Sequence, residues 1–167
     1  DYGKGMITLK LLAEVIKLAN QNKIFISVDP KETHFMNYKK VSLITPNHHE
    51  AGFVSGKKIK DDKTLEEVGW WILKKLQTDS VLITRGEKGM SLFERGEAPR
   101  ANCLTHFPTV ARKIYDVTGA GDTVISTLVS CWTAGATLQE AACISNHAAG
   151  IVVGEIGTAQ VTKKQIL

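Results

Sequence analysis

The sequence lacks any apolar run long enough to span a bilayer and any leader of the kind that directs secretion. A membrane partner is therefore not expected, and a cytoplasmic protein is. Cysteine is sparse. Cys103, Cys131 and Cys143 are odd in number and stand at no metal-ligand spacing. That argues against a disulfide framework and a zinc site, and two of the three lie in apolar helical patterns, so buried free thiols are expected. Charge of one sign is also lacking: 21 basic residues face 17 acidic ones, for a net charge of +4. The basic residues are dispersed apart from Lys57-Lys58-Ile59-Lys60 and the pairs Lys39-Lys40 and Lys74-Lys75. No basic stripe is interleaved with aromatics, so no nucleic-acid partner is expected. Internal repeats and low-complexity linkers are missing too.

What is present is a chain of 167 residues, 43% hydrophobic, enough to bury one sizeable core, so one domain is expected. Its first residue is Asp rather than Met, which reads as a fragment or a processed chain. Residues 1–7 read as a strand end with its loop. Thr8 is placed to cap a helix to about Asn20, with Leu12, Val15, Ile16 and Ala19 on one face. Apolar runs at Ile24–Val28, Val41–Thr45 and Ser80–Thr84 suit buried parallel strands. A short helix is expected from His48 or His49. Thr64-Leu65-Glu66-Glu67 has capping-box spacing for a helix to about Gln77, with Leu65, Val68, Ile72 and Leu76 inward. Met90–Phe93 and Cys103–Phe107 suit antiparallel strands about a loop at Arg95–Pro99. Lys113–Tyr115 reads as a strand end before a helix from about Gly121 or Asp122 to Ala134, apolar on most sides and hence buried. Thr137–Glu140 is a further capping box, for a helix to about Val153. Alternating strands and helices imply an α/β domain with a mainly parallel sheet.

Ligands of such sheets bind beyond the carboxyl ends of the strands, and the polar motifs follow strands. In Gly119-Ala120-Gly121-Asp122, the glycines let the backbone turn tightly and bring successive N–H groups near a ligand. The first turn of the following helix attracts anions through its unpaired amides and dipole. An anion cradle beside a potential base suits phosphoryl transfer, where catalysis is positioning and charge stabilisation. The residues alone leave open an ordinary N-capping aspartate. Asn47 and Glu50 fall on one face of a helical turn, and read by themselves they favour an N-capping Asn with a first-turn Glu. His48 and His49 are neighbours and do not face one ligand, which argues against zinc. Gly86-Glu87-Lys88-Gly89 is good turn chemistry. Of Trp70 and Trp71, adjacent on a helix, at least one is expected at the surface or an interface.

Taken together, Asp116-Val-Thr-Gly-Ala-Gly-Asp-Thr123 with Asp1-Tyr-Gly-Lys-Gly5, Val28-Asp-Pro-Lys31, Ile44-Thr-Pro-Asn-His-His-Glu50, Thr84-Arg-Gly-Glu-Lys-Gly-Met90, Asn146–Gly154 and Gly157–Thr162 resembles the ribokinase-like (PfkB) carbohydrate kinases. Within them the sequence is most similar to the bacterial heptose 7-phosphate kinases, which also form the kinase half of bifunctional ADP-heptose synthases. The resemblance covers nearly the whole chain. It implies a ribokinase-like three-layer sandwich, with residues 1–167 as the C-terminal, nucleotide-binding and catalytic part of a kinase domain whose N-terminal half is not represented. It implies ATP with Mg²⁺, a sugar phosphate as acceptor and a homo-oligomer. Asp122 would be the general base, and the amides of Gly119, Ala120 and Gly121 would hold the charge on the transferring group. Asn47 and Glu50 would organise Mg²⁺ through water. Thr84, Arg85, Gly86 and Gly89 would line the nucleotide phosphates and ribose. Asn146 would lie near the adenine, with a structural bond to a neighbouring loop as the equal alternative. Lys4 and Lys31 follow strand ends and would meet substrate phosphate, where solvated lysines are the commoner case. Another sugar kinase of the same fold, and a nucleotide-binding fragment without catalysis, are the competing readings.

Overall fold

The computed structural model describes residues 2–96, 102–111 and 114–166. Five strands form one sheet in the order β1-β2-β3-β4-β5, with β1 at Ser27–Val28, β2 at Leu43–Ile44, β3 at Ser80–Thr84, β4 at Met90–Glu94 and β5 at Cys103–Phe107. β1 pairs with β2 in parallel, Ser27 against Leu43, and β2 with β3 in parallel, Leu43 against Ser80. The helices are α1 at Leu9–Gln21, α2 at His48–Ser55, α3 at Asp62–Leu76, α4 at Ala120–Thr133, α5 at Leu138–Val152 and α6 at Lys163–Ile166. From α1 to α5 this is the α/β order that the sequence predicts, and α6 is an addition to it. Among the described residues no helix is long and apolar enough to cross a membrane.

The chain forms two compact units, Asp1–Thr84 with Leu92–Leu104, and Arg85–Ser91 with Thr105–Leu167. In the first, β2 and β3 supply Ile44, Val81 and Ile83 to a core closed by Leu12 and Ile16 of α1 and by Leu65, Val68, Ile72 and Leu76 of α3. All four predicted inward positions of α3 are fully or nearly fully buried. On α1, Leu12, Ile16 and Ala19 are buried, while Val15 faces outward. Trp70 meets the Phe93 ring edge-on at 5.0 Å, and Trp71 is the exposed one of the pair. In the second unit α4 packs on α5, which buries Ala141, Ala142, Ala148 and Val152.

Several expectations are corrected. No strand forms among the described residues before α1; residues 3–7 are bends. β1 and β2 are shorter than their apolar runs. The Ile26 amide donates to the Ser42 hydroxyl at 3.1 Å, and the Ile26 carbonyl accepts from both Ser42 and Leu43, which breaks the regular ladder. The capping box of α3 belongs to Asp61 and Thr64, so the helix starts two residues before Thr64. Asp61 accepts from the Thr64 amide at 2.8 Å and makes the better cap. α4 is less buried than its composition suggests: Val124 and Leu128, one turn apart, are its buried side chains. Ile114 and Tyr115 are not in a strand, because the Tyr115 amide donates to the Val153 carbonyl at the end of α5, at 2.8 Å. Lys113 lies outside the described residues, as do residues 97–99 of the loop expected at Arg95–Pro99. The three cysteines are free thiols, but Cys103 and Cys131 are half-buried and Cys143 is exposed.

Candidate functional site

In the first unit, the end of β2 and the start of α2 gather three of the predicted residues. Asn47 caps α2: its Oδ1 accepts from the amides of His49 at 2.9 Å and Glu50 at 3.0 Å. Glu50 Oε2 accepts in return from the Asn47 amide at 2.9 Å, closing a capping box. The other oxygen of Glu50 takes the Lys31 ammonium at 2.9 Å. Glu50 is 8% exposed, so this buried carboxylate is paired and hydrogen-bonded, as a buried charge must be. Burial pulls the Lys31 pKa down, but the Glu50 hydrogen bond and charge, with help from Asp29, hold it above its ordinary 10.5. Thr84 stands beside Asn47 in a parallel bridge, its amide donating to the Pro46 carbonyl at 3.0 Å. Lys4 is exposed on a bend.

These contacts realise the N-capping alternative for Asn47 and Glu50. Each of the three oxygens already accepts a protein hydrogen bond, which fits an outer-sphere role toward a cation through water better than direct ligation. Among the described residues no group of three or more His, Cys, Asp or Glu is placed to hold a metal ion.

The second unit carries the glycine turn. Gly119 is the N-cap of α4 with φ +79°, a left-handed conformation that glycine adopts without strain. The helix therefore begins one residue before Gly121, and Asp122 is its third residue, exposed, rather than its cap. α1, α2, α3 and α5 are each capped by a side chain, from Thr8, Asn47, Asp61 and Thr137. α4 has no side-chain cap, and a Cβ added at Gly119 or Gly121 would meet nothing within 4 Å. The Ala120 amide donates to the Val117 carbonyl at 3.2 Å, and the amides that follow it, with open space beside both glycines, fit an anion such as phosphate.

Asp116 fixes the approach to this turn. Its Oδ1 accepts from the Thr118 amide at 2.9 Å and its Oδ2 from the Gly157 amide at 3.1 Å. The hydrogen bond from the Thr118 side chain, followed by those from the backbone amides of Thr118 and Gly157, holds the Asp116 carboxyl below its ordinary 3.8. This anchoring role was not read from the sequence. The spacing Asp116-x-Thr118, an Asx turn just before a glycine, was the available signal; the Gly157 half, 41 residues away, was not.

The turn after β3 is tight. The Arg85 amide donates to the Gly89 carbonyl at 2.8 Å and the Gly89 amide to Gly86 at 2.9 Å. Gly89 has φ +78°, and an added Cβ there would collide with the Phe107 carbonyl and lie 2.6 Å from the Thr109 amide. Asn146, buried on α5, donates from Nδ2 to the Pro108 carbonyl at 2.7 Å. Gly89 and Asn146 thus meet the same backbone segment, Phe107–Thr109, and the loop-bonded alternative for Asn146 is the one observed. One residue further along α5, His147 lines an open groove of about 690 Å³ with Val110, Tyr115, Gly150, Ile151 and Gly154. That volume lies in the range of small-molecule sites.

A mainly parallel α/β sheet, and a glycine turn that opens a helix with an acid in its first turn, are features suited to phosphoryl transfer. Residues 6–165 match the model of the pfkB family carbohydrate kinases, and the chain belongs to that family. It is 41% identical over 167 residues to the bifunctional protein HldE of Geobacter sulfurreducens, covering all of this chain and 33% of that protein. The chain thus spans about a third of the length of the curated relatives it matches. In solved structures the fold recurs in phosphofructokinase-2 of Escherichia coli in complex with substrates and products. The TM-score is 0.82 at 16% identity, over 96% of this chain and 51% of that one. It recurs also in Arabidopsis thaliana ribokinase complexed with ribose and ATP, with a TM-score of 0.78 at 21% identity, over 91% and 48%. These likenesses make the fold ribokinase-like.

Proposed function

We propose that this chain is the nucleotide-binding and catalytic part of a kinase domain that phosphorylates the anomeric hydroxyl of heptose 7-phosphate, on the route to ADP-heptose and lipopolysaccharide core. The observation that carries the reading is the start of α4: a left-handed glycine cap, which brings no side chain to the helix start, and Asp122 exposed at the third position. Bound ATP with Mg²⁺ supplies the phosphoryl group. Asp122 accepts the proton of the attacking hydroxyl, and the amides of Gly119, Ala120 and Gly121 stabilise the charge that develops. Asn47 and Glu50 orient the water shell of the cation, while Thr84, Arg85, Gly86, Gly89 and Asn146 seat the nucleotide. Lys31, already paired with Glu50, belongs with that carboxylate more than with the substrate phosphate, and Lys4 remains a phosphate contact of the proposal. A cytoplasmic homo-oligomer completes it.

The test is a coupled ADP-release assay on the full-length protein with heptose 7-phosphate, fructose 6-phosphate and ribose as acceptors, the product bond being read by phosphorus NMR. Heptose 7-phosphate should be preferred and should yield an anomeric phosphate. Preference for another sugar would replace the substrate assignment. ATP binding without transfer to any sugar would leave only the nucleotide-binding reading.

A further inference from the structure

We propose that Ser91 and His106 are positioning residues that hold the Arg85 guanidinium ready for the nucleotide phosphates; this rests on reading the Thr84–Gly89 turn as a nucleotide contact. All three residues lie in the second unit. The turn closed by Arg85 and Gly89 brings the chain back so that Ser91, the second residue of β4, comes within reach of the Arg85 side chain. Ser91 Oγ lies 3.4 Å from Arg85 Nη1 and 2.8 Å from His106 Nδ1 on β5.

The donor rules fix the direction of the first link. A guanidinium only donates, so the Ser91 oxygen accepts from Arg85. That oxygen keeps a second lone pair and its own hydroxyl proton, so it meets His106 Nδ1 as donor or as acceptor according to the imidazole tautomer. Ser91 is 0% exposed, and a buried hydroxyl is costly without partners. Alanine would fill the position without that cost, so the hydroxyl serves as a link. A serine 2.8 Å from a histidine also suits a nucleophile pair, but no substrate reaches an oxygen buried this fully.

The consequence concerns binding. An arginine loses rotamer freedom when it clamps a phosphate, and a side chain ordered beforehand loses less. Breaking the chain should therefore weaken nucleotide binding by the ordering cost of one long side chain, roughly 3- to 10-fold. Turnover at saturating ATP and the KM for the sugar should stay as they are.

Calorimetric titration of the full-length protein with Mg-ATP tests this, using Arg85→Ala, Ser91→Ala, His106→Ala, His106→Asn and the double variant Arg85→Ala/Ser91→Ala. His106 is exposed, so its variants keep the fold. Ser91→Ala and His106→Ala should each bind Mg-ATP roughly 3- to 10-fold more weakly. His106→Asn, whose side-chain amide offers both a donor and an acceptor in place of Nδ1, should bind like the parent. Ser91→Ala should cost nothing more once Arg85 is gone. If Arg85→Ala binds like the parent, the nucleotide reading of the turn fails, and this inference with it. If Arg85→Ala weakens binding while Ser91→Ala and His106→Ala do not, the positioning chain alone is overturned. The positioning chain is overturned equally if Ser91→Ala is as harmful without Arg85 as with it, or if His106→Asn is as harmful as His106→Ala.

Discussion

At the scale of the residue, two carboxylates six positions apart have opposite employments. Asp122 is exposed in the first turn of α4, whereas both oxygens of Asp116 take backbone amides. Asp122→Asn keeps the size of the side chain and removes the base, so turnover of the full-length kinase should fall by roughly 10²-fold or more, with ATP affinity little changed. Turnover within a few-fold of the parent would remove Asp122 from the role of base. For Asp116 the prediction concerns pH. Its carboxyl is held below 3.8 by the Thr118 side chain first and then by the Thr118 and Gly157 amides. A depressed folded-state pKa gives stability that is present above the ordinary value and lost as pH falls through the folded one. The gap in melting temperature between the parent and Asp116→Asn should therefore be level at neutral pH and close only below 3.8. A gap that closes between neutral pH and about 5 would point to another group, since the carboxyl titrates lower.

At the scale of the element, two glycines with similar φ are needed for different reasons. Gly119 caps α4 in open space, so Gly119→Ala carries the left-handed penalty alone, about 1–2 kcal/mol. Gly89 has both a left-handed φ and the Phe107–Thr109 backbone against it, so Gly89→Ala should cost about 3 kcal/mol or more. Denaturant unfolding of the two variants checks the order. If the nucleotide uses the space before Gly119, Gly119→Ala should lose more in Mg-ATP affinity than in stability, and equal losses would argue against a ligand there. Much of this level was legible in the sequence. The caps at Thr8, Asn47 and Thr137 follow from side-chain chemistry within three residues, and each forms. The lengths of β1 and β2 were not legible, since they depend on which amide Ser42 intercepts across 16 residues.

At the scale of the whole molecule, adding Mg-ATP to the full-length protein should slow amide exchange at residues 85–89 and 119–123 and around Asn146, with heptose 7-phosphate alone producing no such protection. Unchanged exchange at residues 119–123 would remove the helix start from the nucleotide site. The sequence by itself determined the alternation of strands and helices from α1 to α5, the inward face of α3, the family and the glycine turn before Asp122, because those depend on local propensity, periodicity and short motifs. Only the tertiary structure decided what the polar groups do with their hydrogen bonds. Glu50 is shared between the Asn47 amide and Lys31, Asn146 is committed to the Pro108 carbonyl, and Asp116 reaches Gly157. The physical reason is that a buried donor or acceptor must find a partner somewhere, while the chain's path through space decides which one, and partners 19 to 41 residues away leave no periodic trace.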